Sequence, residues 1–218
     1  MKKTLKTEPR ETAARLVPRR LPTQERARAT VEQVLQAAAD EIERNGFDKL
    51  TTKRIAAAAG LSVGALYEYF PNKEAIVHAL AENWMQTIRE AIDAPHPRHG
   101  GNRDVFAYLN DQFSLVAKLY EGRPGLGALI PMLTAVPDLA ALVRDHDDRV
   151  AESVSSALAH YAPHAAKEAV DATSRCVGII CHDILCAALV HRVAPPELMF
   201  GNLRACLVAM ATPLILAR

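Results

Sequence analysis

Nothing in this 218-residue chain alternates between apolar and polar residues for long enough to make a strand, and that absence excludes a sheet. No uninterrupted apolar run approaches the roughly 18 to 20 residues that span a bilayer. The basic N-terminus also lacks the apolar stretch of a signal peptide, so a cytoplasmic protein with no membrane partner is expected. Cysteine is scarce. Cys176, Cys181, Cys186 and Cys206 all fall late in the chain, inside apolar helical sequence, and read as reduced core thiols rather than a disulfide framework. A glycine-rich phosphate loop, a nucleophile elbow and a CxxC pair are all missing. No internal repeat or low-complexity tract is present either. The chain is therefore expected not to be an enzyme, and no catalytic residue, metal or cofactor is assigned.

What is present is a soluble composition, 50% hydrophobic and 23% charged, with an uneven charge distribution. Residues 1–73 carry 14 Lys/Arg against 9 Asp/Glu, a balance of +5, whereas residues 74–218 carry 12 against 16, a balance of −4. A basic front on an acidic rear suits a nucleic-acid-binding head on a body that stays clear of DNA.

The helical period organises the rest. Residues 1–22 hold Lys2, Lys3, Lys6, Arg10, Arg15, Arg19 and Arg20 against only Glu8 and Glu11, a composition that buries no core and predicts a disordered arm. Thr23 is placed to cap a first helix running to Asn45-Gly46, with Val31, Val34, Leu35, Ala38 and Ile42 on its apolar face. Asn72 caps a long helix to about Asp93, and further helices start at Asp104, near Leu129, at Pro137, at Pro163 and at Pro195-Pro196, the last ending near Pro213. The expected fold is all-α with about nine helices. Its domains are the arm 1–22, a DNA-binding domain 23–71 and a ligand-binding and dimerisation domain 72–218.

Residues 51–73 are the most informative stretch. Thr51 or Thr52 caps a short helix whose small apolar face is Ile55, Ala58 and Ala59, and Gly60 supplies the left-handed turn that ends it. Ser62 caps the next helix, Leu66 and Phe70 point inward four residues apart, and Pro71 closes it. Two short helices joined by a glycine turn make a helix-turn-helix, whose second helix can enter the major groove of DNA. The chain is a candidate transcription regulator on this ground alone.

With Leu66-Tyr67-Glu68-Tyr69-Phe70-Pro71-Asn72-Lys73 closing the motif, and a helix before and after it, residues 24–80 resemble the DNA-binding domain of the tetracycline-repressor (TetR) family. The resemblance implies phosphate contacts from Thr52, Tyr67, Tyr69 and Lys73. It places Lys53, Val63, Gly64 and Ala65 towards base edges. Phosphate contacts set register and affinity, while base contacts carry the sequence information. It further implies a homodimer through the last two helices, a palindromic double-stranded operator, and a small effector, apolar or amphipathic, in a pocket between head and interface. Trp84, Ile88, Phe106, Phe113, Tyr120, Met132 and Leu185 are candidate walls, with His182 as a polar anchor. The implied function is a repressor that the effector releases from its operator, the 72–93 helix acting as lever.

Two polar clusters stand outside this scheme. Asp145-His146-Asp147-Asp148 reads as a solvated charged patch, since neighbours fan around a helix. Cys181-His182-Asp183 lies in an apolar helix, with His160, His164 and His191 elsewhere. Two other readings stay open: a ligand-independent architectural DNA binder of the same fold, and a metal-dependent enzyme using these His/Asp clusters.

Overall fold

The computed structural model describes residues 25–100, 104–121, 125–135 and 137–217. The basic arm and Thr23 lie outside them. Among the described residues all regular structure is helical, and nine α-helices are present. They are α1 (Glu25–Asn45), α2 (Thr52–Ala58), α3 (Val63–Tyr69), α4 (Lys73–Asp93), α5 (Val105–Tyr120), α6 (Leu126–Ala135), α7 (Pro137–Tyr161), α8 (Lys167–Leu185) and α9 (Pro196–Ile215). Single 3-10 turns cover Phe47–Lys49 and Pro97–His99, and α8 runs on into a π-helical turn over Cys186–Val190.

Helix starts are set by short polar side chains. Thr51 Oγ1 accepts from the Arg54 N–H at 3.2 Å, Ser62 Oγ from Ala65 at 3.1 Å and Asn72 Oδ1 from Ala75 at 2.7 Å. Asp104 Oδ1 accepts from both Phe106 and Ala107. Each bond satisfies a donor of the first turn that has no partner within the helix, a contribution of about 1 kcal/mol. Gly60, at φ 63°, makes the left-handed turn between α2 and α3.

The chain divides into two compact units, Met1–Asn83 with Pro124–Met132, and Trp84–Arg123 with Leu133–Arg218. In the first, Val34, Ala38 and Ile42 of α1 pack with Leu50, Ile55, Ala56, Ala59, Leu66, Phe70 and Ile76, each at most 2% exposed. The inward face of α2 is thus Ile55, Ala56 and Ala59, and Ala58 faces solvent instead. The second unit buries Trp84 and Ile88 of α4, Leu109 and Phe113 of α5, Val154 and Leu158 of α7, Val177 and Leu185 of α8, and Leu203 and Leu207 of α9.

Four sequence expectations need correction here. α8 opens at Lys167, not at Pro163, and α9 runs through Pro213 to Ile215. Pro213 lacks the N–H that would bond back, but it sits in the last turn, where little helix follows to be disrupted. Only Cys186 of the four thiols is a core group; Cys176 and Cys206 are exposed and Cys181 is half-buried, all four free. Finally, Lys167–Val190 and Pro196–Ile215 do reach the length and mean hydropathy (1.5) of a membrane span, because small Ala, Gly and Cys residues dilute their few charges. Only 28% and 22% of those windows is buried within the chain.

Candidate nucleic-acid interface

The helix-turn-helix is tied together by polar side chains as well as by its core. Gln33 Nε2 of α1 donates to the Ala59 carbonyl at 2.8 Å, closing the end of α2. Glu41, only 7% exposed, accepts from Arg54 Nε at 2.9 Å, Asn45 at 3.2 Å and Arg44 at 3.3 Å. A carboxylate on an otherwise apolar helix face was the signal in the sequence for this hub, and it was missed. The Glu41–Arg54 bond fixes the rotation of α2 on α1, which places every outward side chain of α2.

The four expected phosphate-contacting groups, Thr52, Tyr67, Tyr69 and Lys73, come from α2, α3 and the start of α4. Thr52 Oγ1 and Tyr67 Oη lie 3.2 Å apart, so two hydroxyls from different helices form one pair, and Tyr67 is 39% exposed. Tyr69 is half-buried. Lys73 is half-buried too, its ammonium 4.6 Å from the centre of the Phe47 ring. That cation–π contact restrains a long side chain and leaves it charged, a contribution of about 0.5–1 kcal/mol at such a site. Phe47 is thus a positioning residue for Lys73. Of the expected base-facing group, Lys53, Val63 and Gly64 are exposed and Ala65 is half-buried. A Cβ on Gly64 would meet only Ser62 Oγ, at 3.9 Å, so its face is open to close approach.

The pairing of Thr52 with Tyr67 has a measurable consequence. Thr52→Val and Tyr67→Phe, made singly and together, should show a coupling of about 0.5–1 kcal/mol in operator affinity. Strictly additive losses would mean that the two hydroxyls act separately.

The expected pocket residues are distributed as follows. Trp84, Ile88, Phe113, Tyr120 and Leu185 are buried in the second unit, and Trp84 meets Tyr120 edge-on with centroids 5.2 Å apart. The Tyr120 hydroxyl lies 3.2 Å from His182 Nδ1, and His182 Nε2 lies 3.6 Å from the Cys186 thiol. Burial pushes the Cys186 thiol up to about 11, which makes it unreactive at neutral pH. Phe106 does not join this group; it is 38% exposed. Met132 is buried in the first unit.

His146 departs from the solvated patch that its neighbours suggest. It is half-buried, with Nδ1 3.3 Å from Arg89 Nη1, and burial followed by the Arg89 charge pushes it down to about 4. Among the described residues no three His, Cys, Asp or Glu side chains converge as a metal set.

Among the described residues, an all-helical fold with a capped, glycine-turned helix pair and a face of hydroxyls and lysines defines a helix-turn-helix protein. Residues 34–80 match the family described as bacterial regulatory proteins, tetR family. That match spans the helix-turn-helix and parts of the helices on either side of it. It is 47% identical over 49 residues to the nucleoid occlusion factor SlmA of Haemophilus ducreyi, covering 22% of this chain and 24% of that protein. Over 79 residues it is 34% identical to the uncharacterized HTH-type transcriptional regulator YvdT of Bacillus subtilis, 36% of this chain and 39% of that one. The chain spans about a quarter to a half of the length of the curated relatives it matches. Its fold is that of a putative TetR-family transcriptional regulator from Syntrophomonas wolfei, with a TM-score of 0.70 at 16% identity over 88% of this chain and all of that one.

Proposed function

We propose that this protein is a dimeric repressor whose two heads bind a palindromic operator and whose body takes up a small molecule that releases it. In this reading residues 23–71 are the DNA-binding domain and 72–218 the effector and dimerisation domain. The observation that carries it is the polar face of the motif. Thr52, Tyr67, Tyr69 and Lys73 bind phosphates, and Lys53, Val63, Gly64 and Ala65 face the bases. Lys53 has the reach for guanine O6 and N7, Val63 suits a thymine methyl, and Gly64 lets the backbone approach closely.

Dimerisation is supported by α8 and α9. Ile179 is 62% exposed and Val208 45%, in helices whose hydropathy belongs to an interior. A second copy covering them would bury that apolar surface and set two recognition helices about one DNA turn apart. The effector site is assigned to the aromatic interior of the second unit around Trp84, Phe113 and Tyr120, with His182 as its polar anchor. An apolar or amphipathic molecule suits such walls. It acts by favouring a head spacing that no longer fits the operator, with continuous α4 carrying the change from Trp84 to Lys73.

Selection of bound DNA from a random pool, followed by a screen for compounds that release it, tests the whole scheme. A single variant tests the DNA face. Lys73→Ala should weaken operator binding about three- to tenfold and lower the salt slope by about 0.9 per protomer, one phosphate contact each. Phe47→Leu, which leaves Lys73 charged but unrestrained, should cost less affinity and keep the slope. An unchanged slope in Lys73→Ala would remove Lys73 from the interface.

A further inference from the structure

α2 is only seven residues long, and the face it packs on α1 is small: Ile55, Ala56 and Ala59. Helices lock when ridges of side chains fit into grooves, and alanine methyls make shallow ridges. Such a face buries α2 without fixing its roll about its own axis. Polar bonds supply what the packing lacks. At the N-terminal end Arg54 Nε donates to Glu41 Oε2 at 2.9 Å, and at the C-terminal end the Ala59 carbonyl accepts from Gln33 Nε2 at 2.8 Å. Both partners stand on α1, eight positions apart in the chain, or about 12 Å along the helix.

The Glu41 anchor is itself held. Its side chain is buried, its Oε2 also accepts from Asn45 Nδ2 at 3.2 Å, and its Oε1 accepts from Arg44 Nη1 at 3.3 Å. A carboxylate held from three sides does not swing to follow Arg54, so the turn that carries Arg54 follows the carboxylate. That turn is Thr52-Lys53-Arg54, and Thr51 Oγ1 caps it by accepting from the Arg54 N–H. Lys53 is exposed, next to Arg54 and about 100° round the helix from it, so its aim is set by the roll of α2.

We infer that Glu41 is a specificity-determining residue that never touches DNA: it holds α2 at the roll from which Lys53 reads a base edge. The inference rests on the DNA-binding reading proposed above. The side-chain envelope of a helix has a radius of about 5–6 Å, so a roll of about 20° carries the tip of Lys53 about 2 Å. Hydrogen bonds to base edges do not survive a displacement of that size. Tyr69 and Lys73 stand on α3 and α4 and are not carried by α2. Loss of the anchor therefore removes discrimination between bases more than attraction to DNA, which phosphate contacts dominate.

The test compares the full chain with its Lys53→Ala, Glu41→Leu, Glu41→Gln and Gln33→Ala variants. Each is titrated with the operator selected by the wild type, with that operator carrying single base-pair exchanges, and with random DNA of equal length. Lys53→Ala identifies the base pair that Lys53 reads. At that pair Glu41→Leu should lower the preference for the selected base about fivefold or more, the lower end of what one such contact contributes, while affinity for random DNA falls less than about twofold. Leucine suits the apolar face around Glu41, and Arg54, with 43% of its side chain exposed, keeps water as a partner. The variant should therefore unfold within a few degrees of the wild type, so that a lost preference is not a lost fold. Glu41→Gln retains an oxygen for Arg54 and should recover most of the preference. Gln33→Ala frees the other end of α2 without touching the buried carboxylate, and should lower the same preference. The assignment is overturned if Glu41→Leu and Gln33→Ala keep the preference, if they lose operator and random DNA in equal proportion, or if Lys53→Ala alters preference at no base pair. A wild-type protein that binds every sequence alike is a different failure, of the DNA-binding reading itself, and is seen before any variant is made.

Discussion

Ile179→Glu should convert the protein to a monomer at micromolar concentration and reduce operator affinity by about 100-fold or more. Ile179 is 62% exposed within one chain, so the substitution disturbs almost nothing in the protomer itself. In the proposed dimer it puts one carboxylate from each protomer into the interface, an apolar setting where each unpaired charge is destabilising by several kcal/mol. Losing the dimer separates the two heads. The second head then no longer binds as an intramolecular event, and the gain from linkage, of order 10² to 10⁴, disappears. Ile179→Leu, which keeps apolar volume, should retain both dimer and affinity. Mass measurement in solution and operator titration check the two halves separately. If the Ile179→Glu protein stayed dimeric, the interface would have to lie away from this face of α8.

The same helices show where the sequence was legible and where it was not. Starts fixed by local chemistry were readable: Ser62, Asn72 and Asp104 cap where they should, because a cap needs only its own first turn. Gly60, Leu66 and Phe70 were readable for the same reason, being fixed by backbone sterics and a four-residue spacing. Within residues 34–80 the recognisable family pattern and the packed core coincide.

Features decided by distant partners were not readable. Glu41 stood out on the apolar face of α1, but its partner did not, since only the fold brings Arg54 to it. The π-helical turn at Cys186–Val190 follows from no residue type, since Cys-Ala-Ala-Leu-Val is compatible with an ordinary α-helix. Hydropathy could not tell a helix buried by its own domain from one awaiting a second copy. Cys176 and Cys206 were therefore placed in a core that the protomer does not supply.

Gly125→Ala should destabilise the protein by about 3 kcal/mol, a fall in Tm of roughly 6–12 °C for a chain of this size. Gly125 adopts φ 75°, where an L side chain is unfavourable by about 1–2 kcal/mol. A Cβ there would also stand 2.7 Å from the Ala39 carbonyl oxygen and 3.2 Å from Ala39 Cα. Both are backbone atoms of α1, so relief requires moving a helix or the segment itself, an overpacking term of about 1–3 kcal/mol. The Gly125 N–H donates to Glu43 Oε2 at 2.7 Å, and that bond stretches if the segment retreats. Gly60 supplies the control: it has φ 63° but nothing within 4 Å of a built Cβ. Gly60→Ala should therefore show the conformational penalty alone, about a third to a half of the Gly125→Ala effect. Equal losses at the two sites would mean that the close approach to Ala39 contributes nothing. A larger loss at Gly125, with Glu43→Ala adding little further, would locate the docking of residues 125–132 on α1 in this one contact. That contact matters for function because α6 continues from it to Ala135, beyond the first unit's boundary at Met132. Loss of that packing would leave α4 as the covalent link between residues 1–83 and the second unit.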